Sequence, residues 1–453
     1  MPRFADKHRE GEHDMTSTQR LLAAARRVGG VALPEEVSSV AKHCVLDWLG
    51  VTLAGAREPA ARIVLEQLVR GDRGEEARLL GIDARCSLQN AALFHGTAAH
   101  ALDYDDTHWG LQGHPTAPVL SAIWALAQRE QVSGRALLSA LVTGVEVECL
   151  LGRWLNPEHY ARGFHATGTL GTFGAAAAAA QLLALDDAAW LHAIGLAGTQ
   201  AAGLKSAFGT MAKPLHVGRA AQSGLAAALL ARGGFTACAD ILDDPQGFAA
   251  THAQTSSPLT AAGPTSGHEI TESLFKYHAA CHLTHATIEA LSGLRHQVSI
   301  GEVERIDLYV DETCLGVCAI EDPETGLQAK FSLKATAAMA LLDYATEDPN
   351  TFTDDIVRAP QLRALMRKVH VAVRPMPATR TELEVRLRSG RVQQLSHDSG
   401  IPERNLSLQS EKLKRKFERL APLPAAIREQ LRVSIEALEQ LSDVRELSRW
   451  IHT

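Results

Sequence analysis

The chain has 453 residues, more than one hydrophobic core usually organises, so two domains are expected. Apolar residues make up 46% and charged residues 21%, which argues for a compact globular protein and against extensive disorder. A formal net charge of −7 argues against a nucleic-acid partner, so positive charge that serves an anionic ligand must be local.

The first 18 residues are polar and charged, lack the apolar stretch of a secretory signal, and read as a disordered leader over 1–15. From residue 16 to about 263, apolar residues recur at spacings of three and four. This predicts helices over 37–53, 60–70, 87–100, 118–128, 134–151, 168–184, 188–200 and 216–232. The least polar stretch, 168–185, is mostly Ala and Gly. Its insertion tendency is too low for a membrane span, so it is expected as a packed internal helix.

Three segments of this helical region carry polar groups suited to chemistry. The first, His100-Ala-Leu-Asp103-Tyr104-Asp105-Asp106-Thr107-His108 followed by Gly113-His114-Pro115-Thr116, delivers acids, hydroxyls and histidines into a loop behind an Ala-rich helix. A capped, solvated turn uses the same residue types. The second, 162–169, sets His165 beside Thr167 and Thr169, either of which is a candidate cap whose helix amides would attract a carboxylate. In the third, 208–218, Lys213 stands between Ala and Pro in apolar sequence and is a candidate internal anion partner, with Lys205 as the surface residue.

After a Thr-, Gly-, Pro- and Ser-rich linker at 260–267 the composition changes. The segment 275–285 carries Lys276, His278, Cys281, His282 and His285. At helical spacing the three histidines would share one face, and anion binding or packing is favoured over metal. Alternation predicts strands over 303–310, 369–373 and 381–387, with a turn at Ser389-Gly390 and a return strand over 391–395. Helices are expected between them, over 285–293, 333–342 and 360–368, and again over 410–420, 425–441 and 444–451. The seven cysteines are scattered and odd in number, which reads as reduced, mostly buried thiols. The fold class is therefore mostly α. A large all-helical domain (16–265 and 408–453) is joined by a smaller α+β lid domain (266–407), with a small-molecule cleft between them.

Taken together, HALDYDDTH at 100–108, GHPTAPVL at 113–120, GFHATGTLGTFGAAAAAA at 163–180, AKPLHVGRAAQSG at 212–224, FKYHAACHLTHATIEAL at 275–291 and QAKFSL at 328–333 resemble the MmgE/PrpD family. That family includes 2-methylcitrate dehydratases, cis-aconitate decarboxylases and iminodisuccinate epimerases. The resemblance implies a homodimeric enzyme without cofactor that acts on a small anionic carboxylate; the thiols read as cytoplasmic, the ligand spacing as holding no metal, and charge and hydropathy as leaving no nucleic-acid or membrane partner. It places catalytic groups at Asp103, His114 and His165 and substrate-binding groups at Thr107, Lys213, Lys276 and His282. His114 and His165 would move protons, Asp103 would orient a histidine, and Thr107 would donate to a carboxylate. The decarboxylases of the family carry a histidine five residues after the second lysine, where Cys281 precedes His282 here. They also carry a tyrosine where Val317 or Cys318 stands. The expected activity is thus a lyase on a branched di- or tricarboxylic acid, dehydration ranked before decarboxylation. The alternatives are an epimerase of an imino- or aminodicarboxylate and a non-catalytic carboxylate-binding or scaffold protein.

Overall fold

The computed structural model describes residues 15–30, 32–255, 257–259 and 267–451. The expected leader and most of the linker lie outside the described residues. Eight long helices form the first part: α1 (Ser17–Gly29), α2 (Glu35–Gly55), α3 (Leu88–His100), α4 (Thr116–Arg129), α5 (Gly134–Leu155), α6 (Ala166–Leu182), α7 (Asp187–Gln200) and α8 (Ala212–Arg232). Helix α6 is apolar all round and is buried from Ala166 to Ala180, as an internal helix must be. Small residues let its neighbours approach closely. A Cβ on Gly144 of α5 would stand 2.8 Å from the Gly174 carbonyl of α6, and one on Gly224 of α8 would stand 2.6 Å from Ala175 Cβ. No helix among the described residues is long and apolar enough to cross a membrane.

The second part holds α9 (His285–Leu294), α10 (Leu333–Leu341) and α11 (Pro360–Met366) with a four-stranded sheet. Its strands are β1 (Val303–Val310), β2 (Val369–Val373), β3 (Arg380–Leu387) and β4 (Val392–Asp398), in the order β2-β1-β3-β4. The β1/β2 pair is parallel and the other two pairs are antiparallel. Ile306, Leu308 and Val310 of β1 and Leu383, Val385 and Leu387 of β3 are buried, while Glu304, Arg305 and Arg386 face outward, the one-sided pattern that alternation predicts. Gly390 closes the β3–β4 hairpin at φ +83°, a conformation that favours glycine.

The chain then returns as α12 (Leu406–Leu420) and α13 (Ala425–Glu436). Phe417 of α12 packs on Gly50 of α2, so the terminal helices rejoin the first helical part. The core under the sheet is not closed on itself: Val51, Leu102, Tyr104 and Leu420 from the helical part belong to it. One expectation fails. Residues 275–281 are not helical, because Ala279 N and Cys281 N donate to Thr346 O and Lys330 O, partners distant in sequence, instead of closing helical turns. His282–Thr284 form a short 3₁₀ turn before α9, so the three histidines do not line one helix face.

Candidate active site

Helix α3 ends at His100 and hands the chain to a loop whose Asp103 sits at φ +52°, a left-handed conformation that Asp tolerates better than most residues. That turn exposes three successive carbonyls, and each receives a different buried lysine. Lys330 Nζ donates to Leu102 O (2.7 Å), Lys276 Nζ to Asp103 O (2.7 Å) and Lys416 Nζ to Tyr104 O (2.6 Å). Lys416 also pairs with Asp47 at 2.6 Å. Burial lowers the Lys330 ammonium to about 8.

The Asp103 side chain lies between two ammonium groups, Lys213 at 2.5 Å and Lys276 at 3.2 Å. Burial alone would push its carboxyl up, but the two lysines outweigh it and hold it well below the usual range. Lys276 is anchored by the short pairing of Ser273–Leu274 with Thr107–His108, and Lys213 by the first turn of α8. Lys213 reaches the cleft wall, whereas Lys276 stands behind Asp103 with its side chain 1% exposed. The two lysines expected as equivalent substrate contacts therefore have different positions.

Asp105 is the carboxylate that stands at hydrogen-bond distance from histidines. Its oxygens accept from His100 Nδ1 at 2.9 Å, and His114 Nδ1 stands 3.2 Å away. His114 Nε2 is 3.7 Å from Asp103. His100 Nε2 is buried with no hydrogen-bond partner among the described residues. Burial drives His100 down to about 4 and lowers His114, so both are neutral near pH 7. His165 precedes α6, held where its amide donates to Gly203 O at 3.0 Å, and its Nδ1 meets His216 Nδ1 at 3.1 Å. Burial and the nearby Lys213 push it well below its ordinary value. The third acid, Asp106, points away from the cleft. It accepts from Thr116 at 2.6 Å, and burial raises it to about 8, so it is protonated near neutrality.

Neither threonine that was a candidate cap caps α6. His165 takes that position, Thr167 accepts from His114 N at 3.1 Å, and the Thr169 hydroxyl meets His159 Nε2 at 2.8 Å. Thr107 also differs from expectation. His282 Nε2 is 2.9 Å from Ser399 O, a pure acceptor, so the ring proton is on Nε2. Burial lowers His282 to about 4, which leaves Nδ1 bare to accept the Thr107 hydroxyl proton at 2.7 Å. That hydroxyl is paired with His282, with Leu274 O as a second acceptor at 3.4 Å. Lys205 is no plain surface residue either: its ammonium lies 3.8 Å from the Tyr160 ring centre.

These groups surround one cleft enclosing about 700 Å³, its open mouth included, a size suited to a small ligand. Thr107, His114, His165, Lys213, Cys281 and His282 line it, and Phe208, Phe331, Val317, Leu274 and Leu283 supply apolar wall. Asp103, His100 and Lys276 act from just behind that surface. His100, Asp103, Asp105 and His114 bring potential ligand atoms within 4.8 Å of one another. A cation there would stand beside Lys213 and Lys276, so charge favours an ion-pair network. Sequence reasoning selected neither His100 nor Asp105 individually and missed Lys330 and Lys416. The apolar stripe Leu413, Phe417, Leu420 of α12 holds Lys416 on its buried side, which was a usable signal.

Residues 20–259 match the MmgE/PrpD N-terminal domain and residues 278–440 the MmgE/PrpD C-terminal domain. A cis-aconitate decarboxylase of Mus musculus is 29% identical over 435 residues, 90% of this chain and 88% of that one. One of Homo sapiens is 29% identical over 363 residues (76% and 74%), and one of Aspergillus terreus 25% over 365 residues (74% and 74%).

Proposed function

This chain belongs to the MmgE/PrpD family, and from that premise we propose that it is a carboxylate lyase that decarboxylates an unsaturated tricarboxylic acid of the cis-aconitate type. The observation that carries this reading is the charge layout of the cleft. Lys213 shares the cleft wall with His114 and His165, and its ammonium lies 5.3 and 5.2 Å from the Phe208 and Phe331 ring centres, so charge and apolar surface adjoin. One substrate carboxylate would sit on Lys213, exchanging with part of the Asp103 contact. A second carboxylate against the apolar wall loses hydration, which favours departure as neutral CO2. The catalytic cleft between a helical domain (16–265, 408–453) and a lid (266–407), in a cytoplasmic homodimer, is part of the same proposal.

Dehydration, ranked first on sequence grounds, keeps one specific support. Neutral His114 and His165 are competent bases for a proton next to a carboxylate. Incubation in D2O with cis-aconitate, 2-methylcitrate, citrate and iminodisuccinate, followed by proton NMR, separates these readings. Decarboxylation predicts CO2 release from cis-aconitate with one deuterium on the product carbon. Water loss from 2-methylcitrate without CO2 would replace it with dehydration, and deuterium exchange without loss would replace it with epimerisation.

A further inference from the structure

An acid of the cis-aconitate type carries three carboxylates. The lyase reading sets one on Lys213 and one against the apolar wall, which leaves a third to be held. Two hydroxyls on the wall already have acceptors: Thr313 donates to Asp311 at 2.6 Å and Thr379 to Asp398 at 2.8 Å. Trp109 and Gln112 line the same cleft, and the Gln112 carboxamide has no hydrogen-bond partner among the described residues.

Gln112 is held there at a conformational cost. It sits at φ +53°, in the left-handed region that residues other than glycine, asparagine and aspartate seldom adopt. The turn that imposes this conformation is fixed on several sides. His108 N donates to Gly113 O at 2.9 Å, Gln112 N to Trp109 O at 3.1 Å and Leu111 N to His108 Nδ1 at 3.2 Å. Asn156 Nδ2, at the end of α5, donates to Leu111 O at 3.0 Å. A Cβ on Gly152 of α5 would stand 2.6 Å from Leu111 Cα, so helix and turn are in direct contact. Glycine at 112 would make this turn with less strain, so the turn itself gives no reason for a long polar side chain there. The cleft does.

Resting on the lyase reading, we propose that Gln112 is a specificity-determining residue whose carboxamide N–H groups hold the third carboxylate, so that the cleft selects tricarboxylic over dicarboxylic acids. A neutral donor suits this task. It adds no cation to compete with Lys213 for the carboxylates, and a hydrogen bond to an ionised acceptor is among the stronger ones. The anchored turn keeps the donor in place before the acid arrives, so little ordering is left to be done on binding.

The test is isothermal titration calorimetry of wild type, Gln112→Gly and Gln112→Glu with tricarballylate and with methylsuccinate, which is tricarballylate less one terminal carboxylate. Glycine suits φ +53° and should fold; glutamate keeps the shape of the side chain and replaces the donor with a negative charge. Wild type should bind tricarballylate about tenfold or more tighter than methylsuccinate. Gln112→Gly should lose about tenfold on tricarballylate and leave methylsuccinate unchanged, and Gln112→Glu should weaken tricarballylate further. KM for cis-aconitate should rise about tenfold in Gln112→Gly with kcat little changed. Equal binding of the two acids by wild type, or a Gln112→Gly that either binds tricarballylate as wild type does or weakens both acids alike, overturns the inference alone. A wild type that shows the preference and the Gln112 effect but turns over no acid overturns the lyase reading and upholds the carboxylate site. Binding of neither acid by wild type overturns both.

Discussion

Lys276 holds Asp103 at two points, through the carboxylate at 3.2 Å and through the backbone carbonyl of the same residue at 2.7 Å. One lysine thereby sets both the charge and the backbone turn of the residue at the base of the cleft. Replacing it with methionine leaves a buried carboxylate with a single ion partner and an orphaned carbonyl. The expected cost is about 3–5 kcal/mol of stability, the magnitude for breaking a buried pair, read from denaturant midpoints. Lys276→Arg should recover only part, since the planar guanidinium cannot reproduce a point donor.

Thr107→Val separates the two readings of that hydroxyl. With that hydroxyl paired with His282, removal leaves a buried ring nitrogen without a donor and should destabilise by about 1–3 kcal/mol with KM nearly unchanged. A tenfold rise in KM at unaltered stability would return Thr107 to direct substrate binding.

The buried histidines should withdraw stability as pH drops from about 6.5 to about 4, opposed by Asp106, which the fold already protonates near 8. His100 and His282 are held near 4 in the folded chain, below the unfolded value of about 6.5. Between those values the unfolded state binds more protons, so each histidine costs roughly 3 kcal/mol by pH 4. Asp103 and Asp105, held low, give stability that is complete above their unfolded value near 4 and declines only as pH falls further. Urea midpoints across this range should slope for wild type and slope less for His100→Gln. An unchanged slope would mean that His100 titrates alike in both states.

Replacing His165 with alanine should lower kcat by about 100-fold or more if it exchanges a proton with substrate. His216→Phe, which removes only the partner at 3.1 Å, should cost about tenfold. Equal turnover in His165→Ala would remove it from the mechanism.

Gly144→Ala tests the packing around α6. Its Cβ would stand 2.5 Å from Val119 and 2.8 Å from the Gly174 carbonyl, so α5 and α6 must part, with a loss of about 1–3 kcal/mol in a thermal melt.

The fold was legible where burial has a period. Strands β1 and β2 read correctly because one face of the sheet meets α9 and α10 and the other meets water, and α6 because Ala and Gly leave it no polar face. The segment 275–281 misread because its helical spacing is outweighed by the pairing of Ser273–Leu274 with residues 107–108 and by distant carbonyl partners. In the site, the cluster around Asp103 stood out, but nothing local says which of Asp103, Asp105 and Asp106 meets lysines, histidines or Thr116. Those choices rest on contacts such as Lys213 to Asp103, 110 residues apart. Lys330 and Lys416 bond carbonyls 228 and 312 residues away, a separation that no local pattern encodes.

The three lysines on the Leu102, Asp103 and Tyr104 carbonyls come from residues 276, 330 and 416, late in the order of synthesis. On the ribosome the helical part is complete through α8 long before the last of these emerges. The turn that aims Asp103 must wait for α12, so a nascent chain can be compact and still lack a working centre. Catalytic competence is thereby a late event in the life of each molecule, coupled to completion of nearly its whole length.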